Sequence, residues 1–266
     1  DDVHRCLLSI HHILIDGWSM PILIKEVRSL YDAQVAGREI SFEPVPAYGE
    51  FIAWLEKQDL ARTESFFRQK LQGFSAPTPF GVDRVAPEGV EAGHEEQQIV
   101  LSAGLSDEVV AFARAHELTM NTLVQGAFAL LLSRYSGEDD VLFGATVSGR
   151  SAPVPGIERM VGIFINAVPV RVRVAREEQV GGWLAALQEQ QIELREHEHT
   201  PLVVVQGVSQ VPRGTPLFES ILVFENYPLE ESMGAAPETD QGKERAAYLE
   251  QVLTTVESLG DRGVIA

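Results

Sequence analysis

The chain is predicted to be α/β, made of two α/β layers of similar build. Three observations point there. Short β-branched runs and longer stretches of helical spacing are intermixed along the sequence. They occur on both sides of one break rich in proline and glycine, Ser75–Gln98. In "GIFINAVPVRVRV" the valines Val168, Val170, Val172 and Val174 alternate with arginine and proline, the period of a strand with one wet side.

Taken in order, Val3 to Ile10 is short and apolar-rich, as a buried strand is. Ile22, Leu23, Val27, Leu30 and Tyr31 then recur at helical spacing from Ser19 or Pro21, and Gly37 marks the stop. Pro44 and Pro46 break the chain ahead of two more helices, Ala47–Gln58 and Leu60–Phe74. The stretch Ser75–Gln98 holds three prolines and three glycines without periodicity, which is linker composition, and His94 within it reads as a solvated loop residue. Residues 1–74 are therefore expected to form one part, 75–98 the linker and 99–266 the other part. "QQIVLSA" reads as a strand. Ser106, with Asp107 and Glu108, offers an N-cap and an acidic first turn for a helix to about His116. Thr119 or Asn121 starts a long apolar helix closed by Gly137, and "DVLFGATVSG" is a strand. Helices over Gln179–His197 and Leu202–Val208 precede a strand over Phe218–Tyr227, and "KERAAYLEQVLTTVESLG" reads as an amphipathic helix.

With 45% hydrophobic and 23% charged residues over 266 positions, the chain has the composition of a soluble globular protein with ample core. Its one cysteine, Cys6, excludes an intramolecular disulfide and fits a reducing cytoplasm. Beside Leu7 and Leu8 it reads as a small core residue rather than a nucleophile. No stretch reaches the roughly 18 to 20 apolar residues that span a bilayer. The opening "DDVHR" has no signal-peptide character, lacks an initiator methionine and falls within a strand-like run, so a piece of something longer is expected. A formal net charge of −18 argues against nucleic acid or an anionic membrane as the main partner. Local basic clusters stay open at Arg171 with Arg173, and at Arg62, Arg68 and Lys70.

The stretch "SIHHILIDGWSM" gathers His11, His12, Asp16 and Gly17 between the first strand and the first helix. A metal site needs at least three ligands in suitable geometry, and His94, His116, His197, His199 and Cys6 show no such spacing, so no metal is expected. Two readings remain. In one, a histidine is buried against a backbone carbonyl and Asp16 caps the helix that follows, with Asp16-Gly17 as turn chemistry. In the other, a histidine on a loop at a strand end acts as general base, since imidazole titrates near about 6.5. Gly17 then lets a backbone N–H approach the substrate, and Asp16 orients the loop, with Arg150 of "SGRSAP" a candidate partner.

His11-His12-Ile13-Leu14-Ile15-Asp16-Gly17 resembles the HHxxxDG motif of nonribosomal peptide synthetase condensation domains. "PAYGEFIAW" resembles the YxDYAxW segment of that family through Tyr48, Phe51 and Trp54. "MVGIFINAVPVRV" resembles IGxFxNTxPxR through Gly162, Phe164, Asn166, Pro169 and Arg171, and "HEHTPLVVVQ" and "RGTPLFESILVFENYP" follow in the family's order. The resemblance runs from His11 to Pro228 and fades after about Glu231. Ala167 stands where the family's threonine follows the asparagine, and the first part of the family's N-terminal half has no counterpart before Asp1. "DGWSM" resembles condensing rather than epimerising members, and "GFSAPTPFGVDR" and "PLFESILVFENYP" resemble condensation domains that follow polyketide modules.

The resemblance implies two chloramphenicol-acetyltransferase-like α/β sandwich halves in a V with a tunnel between them, both incomplete here. It implies amide formation, in which a carrier-bound aminoacyl acceptor attacks a donor acyl or peptidyl thioester. Both substrates hang on 4'-phosphopantetheine arms of carrier domains, next to an adenylation domain of the same synthetase, and no cofactor is bound directly. By position, His12 is implied as catalytic with His11 beside it, and Gly17 as donor of a backbone N–H. Asp16 with Arg150 is implied as a structural ion pair, and Trp18, Ser19, Asn166 and Asn226 as tunnel contacts. Three roles stay open for His12: base, positioning of the amine, or stabilisation of the charged intermediate. An α-amine titrates near about 7.7–8.0 and is already partly neutral at pH 7, which leaves a base little to do before attack. Two other functions stay open: a non-catalytic carrier-binding or recruitment platform of the same fold, and an acyltransferase using free coenzyme A thioesters.

Overall fold

The computed structural model describes residues 8–80, 96–174 and 177–225. Cys6 with most of the first expected strand, most of the linker with His94, Asn226 and the expected helix from Lys243 to Gly260 lie outside the described residues. The chain divides into two compact units. One draws its described residues mainly from Asp1–Glu56 and Ala152–Phe164, the other from Lys57–Ser151 and Ile165–Phe224. The segment after Ala152 thus returns to the first unit, and the helix that begins at Leu60 sits in the second, whereas the composition of the sequence places the break at 75–98.

In the first unit, Leu8, Ser9 and Ile10 are irregular rather than strand. Helix α1 spans Ser19–Val35, as the spacing predicts, but it buries only Ser19, Pro21 and Ala33. Val27, Leu30 and Tyr31 of its expected apolar stripe are exposed, as is Val35. Helix α2 spans Tyr48–Leu55 after Pro44 and Pro46. Its buried Phe51 packs with Val154, Ile157, Met160 and Phe164 from the returning segment, which holds one 3-10 turn, Ile157–Arg159. The Phe51 and Phe164 rings lie 4.7 Å apart and Phe51 stacks on Trp54 at 6.0 Å, contacts that add to area burial.

The second unit holds helices α3 (Leu60–Lys70), α4 (Ala103–Ala115), α5 (Met120–Ser136), α6 (Val180–Arg195) and α7 (Leu202–Val208) with strands β1 (Asp140–Val147), β2 (Asn166–Arg173) and β3 (Ile221–Leu222). The sheet order is β2-β1-β3, with β1 antiparallel to β2 in the register Asp140↔Arg173 to Val147↔Asn166 and parallel to β3. Both faces of β1 are covered, so Val141, Leu142 and Phe143 are each 0% exposed and the run is continuously apolar. On β2 Val168, Val170 and Val172 are buried against the core and Arg171 and Arg173 are not, but Pro169, expected on the wet side, is buried as well. Helix α5 packs on β1 and α6, while α7 packs on β2 and α3.

Local chemistry sets the ends of these elements. Thr119 caps α5 through its hydroxyl, which accepts from Thr122 N–H at 3.1 Å, and left-handed Gly137 (φ 78°) closes it. Four expectations are corrected. The cap of α4 is Ser102, whose hydroxyl accepts from Leu105 N–H at 3.3 Å; Ser106 lies inside the helix, its N–H bonded to the Ser102 carbonyl. "QQIVLSA" is irregular and exposed up to that cap, with Ile99 77% and Val100 84% exposed, because no strand among the described residues pairs with it. The expected strand from Phe218 shrinks to Ile221–Leu222 among the described residues, and the one expected from Gly162 begins only at Asn166.

The basic clusters that the sequence left open are occupied. Arg62 bonds Glu196 at 3.0 Å, Lys70 bonds Glu193, and Arg68 lies 3.8 Å from Glu64. Arg171 makes a two-pronged pair with Asp140, at 2.9 Å from Nε and 2.7 Å from Nη2, and its Nη1 donates to the carbonyls of Lys70 and Gln72. This one guanidinium ties β2 to β1 and to the end of α3. Burial raises the Asp140 pKa, but the bonds and charge of Arg171, helped by Arg173, outweigh it and hold the carboxyl below its usual value. A lowered folded pKa adds stability above the unfolded value of about 3.9, lost as pH falls through the folded one. Asp140→Asn is therefore expected to cost about 1.5–3 kcal/mol in urea unfolding at pH 7. The difference between parent and variant should shrink below about pH 4, and a constant difference down to pH 2 would contradict the assignment.

Candidate active site

The HHxxxDG loop is anchored at its aspartate. Asp16 is 1% exposed, so its carboxylate needs hydrogen bonds to stand burial. One oxygen accepts from Ser19 N–H at 3.0 Å, three residues on and the first residue of α1. The other accepts from Phe164 N–H at 3.0 Å, 148 positions away in sequence. Asp16 N–H in turn donates to the Gly162 carbonyl at 3.1 Å. Ser19, at 0% exposure, completes the clamp. Its hydroxyl accepts from Gly162 N–H at 3.1 Å and lies 2.9 Å from Asp16 Oδ1 and 3.0 Å from the Gly162 carbonyl. Having one proton, it donates to one of those two at a time.

Gly162 has a steric reason to be glycine. A Cβ there would lie 2.3 Å from Cδ2 of Tyr48, whose hydroxyl donates to the Ile163 carbonyl and whose ring meets Phe164 edge-on at 5.1 Å. Two motifs far apart in sequence, "PAYGEFIAW" and "GIFIN", thus meet at the residues that hold Asp16.

With its base fixed, the loop turns outward. Leu14 N–H donates to the His11 carbonyl at 3.0 Å, and Ile13 N–H donates to His11 Nδ1 at 3.1 Å. An accepting Nδ1 leaves the proton of neutral His11 on Nε2. His11 and His12 are both exposed, so burial of a histidine against a carbonyl does not occur here; the N-cap position of α1 is Trp18, and Asp16, two residues before it, holds the N–H of Ser19. Gly17 and Trp18 are half-buried at the head of α1, and the Gly17 carbonyl accepts from Met20 N–H at 3.4 Å.

The remaining site residues fall in several places. Arg150 is half-buried in the loop after β1 and its N–H donates to Ser148 Oγ at 3.4 Å. Ser19, expected as a tunnel contact, is instead the internal clamp just described. Asn166, expected likewise, has both amide atoms engaged: Nδ2 donates to the carbonyls of Glu198 at 2.8 Å and Thr200 at 2.7 Å, and Oδ1 accepts from Ala167 N–H. It ties the start of β2 to the segment before α7. Asn226 lies outside the described residues. Among the described residues no group of three or more His, Cys, Asp and Glu is placed to hold a metal ion. None of their helices is long and apolar enough to cross a membrane.

Sequence reasoning passed over Glu198. This buried carboxylate, 6% exposed, accepts from the hydroxyl and N–H of Ser151. The available signal was "HEHTP", where a glutamate sits between two histidines that are held low. Burial lowers the His197 pKa, with Arg62 adding to it, and burial with His197 beside it lowers that of His199.

Residues 1–257 match the family described as Condensation domain, and the chain belongs to that family. It is 51% identical over 230 residues to a polypeptide of the linear gramicidin synthase of Brevibacillus parabrevis, covering 86% of this chain and 4% of that protein. It is 48% identical over 233 residues to the chondramide synthase CmdD of Chondromyces crocatus, covering 88% of this chain and 6% of that one. The fold is shared with the first condensation domain of the calcium-dependent antibiotic synthetase, solved with a substrate analogue. That match has a TM-score of 0.67 and 17% identity, and covers 83% of this chain and 49% of that one. The chloramphenicol-acetyltransferase-like α/β class expected from the motifs is therefore the class of this fold. The chain spans only a small part of its curated relatives and about half of the solved domain.

The clamp predicts its own sensitivity. Asp16→Asn turns one carboxylate oxygen into an amide that faces a backbone N–H, and Ser19→Ala strips the acceptor from Gly162 N–H. Each is expected to cost about 1–3 kcal/mol in denaturant unfolding, and losses below about 0.5 kcal/mol, the usual range for surface substitutions, would contradict it.

Proposed function

We propose that this chain serves amide bond formation in nonribosomal peptide assembly, as part of a condensation domain. The reaction joins a donor acyl or peptidyl thioester to the amine of an aminoacyl acceptor, each held on the phosphopantetheine arm of a carrier domain. The observation that supports it is the intact loop from His11 to Gly17, whose buried Asp16 is fully engaged while both imidazoles stay open to solvent. A recruitment platform has no need of such a device.

The chemistry balances without a cofactor. The acceptor amine attacks the donor carbonyl carbon, a C–N bond forms, and nitrogen must shed one proton. The tetrahedral intermediate then collapses, the C–S bond breaks, and the leaving thiolate takes up a proton. In this reading His12 holds the amine in line and receives and returns that proton. Gly17 supplies a backbone N–H toward the reacting carbonyl. Carrier domains and a neighbouring adenylation domain are the partners this reading requires, and the cytoplasm is its setting. A preceding polyketide module as source of the donor belongs to the same proposal.

A single-turnover assay with carrier-bound donor and acceptor tests it. The polypeptide, extended to the length of the solved condensation domains, is expected to release amide product detectable by mass, and His12→Ala to slow that release by about 10²–10⁴-fold. A His12→Ala variant that condenses at the parental rate removes the assignment.

A further inference from the structure

Tyr48 lies outside the HHxxxDG loop, and no bond runs directly from it to either histidine among those described above. It is nevertheless joined to the loop by a short chain of hydrogen bonds. Its hydroxyl donates to the carbonyl of Ile163. That carbonyl belongs to the same planar peptide unit as the N–H of Phe164, and this N–H donates to Asp16 Oδ2 at 3.0 Å. The other oxygen of Asp16 holds Ser19 N–H at the first turn of α1. Hydrogen bonds at both ends of one amide polarise it and fix its plane, so each strengthens the other. The Tyr48 ring adds a second restraint. It lies against Gly162 so closely that a Cβ would come within 2.3 Å, and Gly162 supplies the carbonyl for Asp16 N–H and the N–H for Ser19 Oγ.

We propose that Tyr48 is a positioning residue for the condensation reaction. Through the 163–164 peptide and the Asp16 carboxylate, its hydroxyl sets the seat of the His11–Trp18 loop and with it the orientation of His12. The role in catalysis rests on the function proposed above; the mechanical link from Tyr48 to His12 does not. Phe51 shares the same aromatic cluster but has no hydroxyl, so the positioning belongs to one O–H group rather than to the packing.

The test removes that group alone. Tyr48→Phe keeps the ring over Gly162 and drops the donor to Ile163. In the 266-residue chain, the imidazole carbon resonances of His12, assigned with His12→Ala, are expected to shift or broaden in Tyr48→Phe, with the thermal midpoint held within a few degrees. They should stay fixed in Tyr31→Phe, an exposed tyrosine on α1. In the extended polypeptide the single-turnover rate at saturating acceptor is expected to fall about tenfold, the worth of one hydrogen bond, with the half-saturating acceptor concentration unchanged. 4-Aminophenylalanine at position 48, which restores a donor, is expected to recover both readouts, and it decides the matter if Tyr48→Phe folds poorly. Unmoved His12 resonances, or a rate equal to the parent's, overturn the proposal. If instead the extended polypeptide forms no amide while Tyr48→Phe still moves the His12 resonances, the condensing function fails and the mechanical link stands.

Discussion

A carboxylate that must be hydrogen-bonded because it is buried organises the first unit. Asp16 has almost no contact with solvent, and its two oxygens are shared between the start of α1 and the backbone of Phe164. Those bonds join segments about 150 residues apart, and the aromatic cluster of Phe51 and Phe164 packs beside them. A helix start, a returning segment and a solvent-facing turn are thereby held by one acidic side chain and one serine hydroxyl. The loop can stay exposed at its histidines because it is so firmly tied at its other end.

The second unit solves a different problem with the same means. Its sheet has an apolar centre in β1, and the wet side of β2 carries arginines. Arg171 answers to Asp140 and to two carbonyls at the end of α3, so the charge becomes a strut rather than a patch. Arg62 and Lys70 are likewise matched to glutamates at and near the end of α6. With a formal net charge of −18, the chain has acidic side chains in excess to meet its cations. That net charge does not favour general attraction to phosphates.

On the proposed reading, amide formation asks the protein for little chemistry beyond geometry. The thioester is activated before it arrives and the amine is partly neutral near physiological pH. On that reading, a histidine on a fixed loop base and the backbone N–H proposed for Gly17 answer that need. The polar side chains best placed to serve substrate by motif position divide accordingly: His12 faces outward, whereas Ser19 and Asn166 are consumed by internal bonds.

Much of this was legible in the residues. Helices α1, α5, α6 and α7 follow from their spacing, Gly137 from its place at a helix end, and the buried face of β2 from Val168, Val170 and Val172, because each of these signals is local. The order of motifs from His11 onward was enough to reach the family, and a polar anchor at the head of α1 could be read from the position of Asp16. The rest depended on which distant segment lies alongside. Ile99 and Val100 look like strand but find no strand beside them among the described residues, and half of the α1 stripe faces solvent, since burial is a property of neighbours and not of pattern. Nor could the sequence tell that Ser19 faces Gly162, that Tyr48 closes on the same residue, or that Glu198 is buried against Ser151. Spacing along the chain reports periodicity; the pairing of a buried polar group is decided only when the chain returns and a donor or acceptor comes within hydrogen-bonding reach.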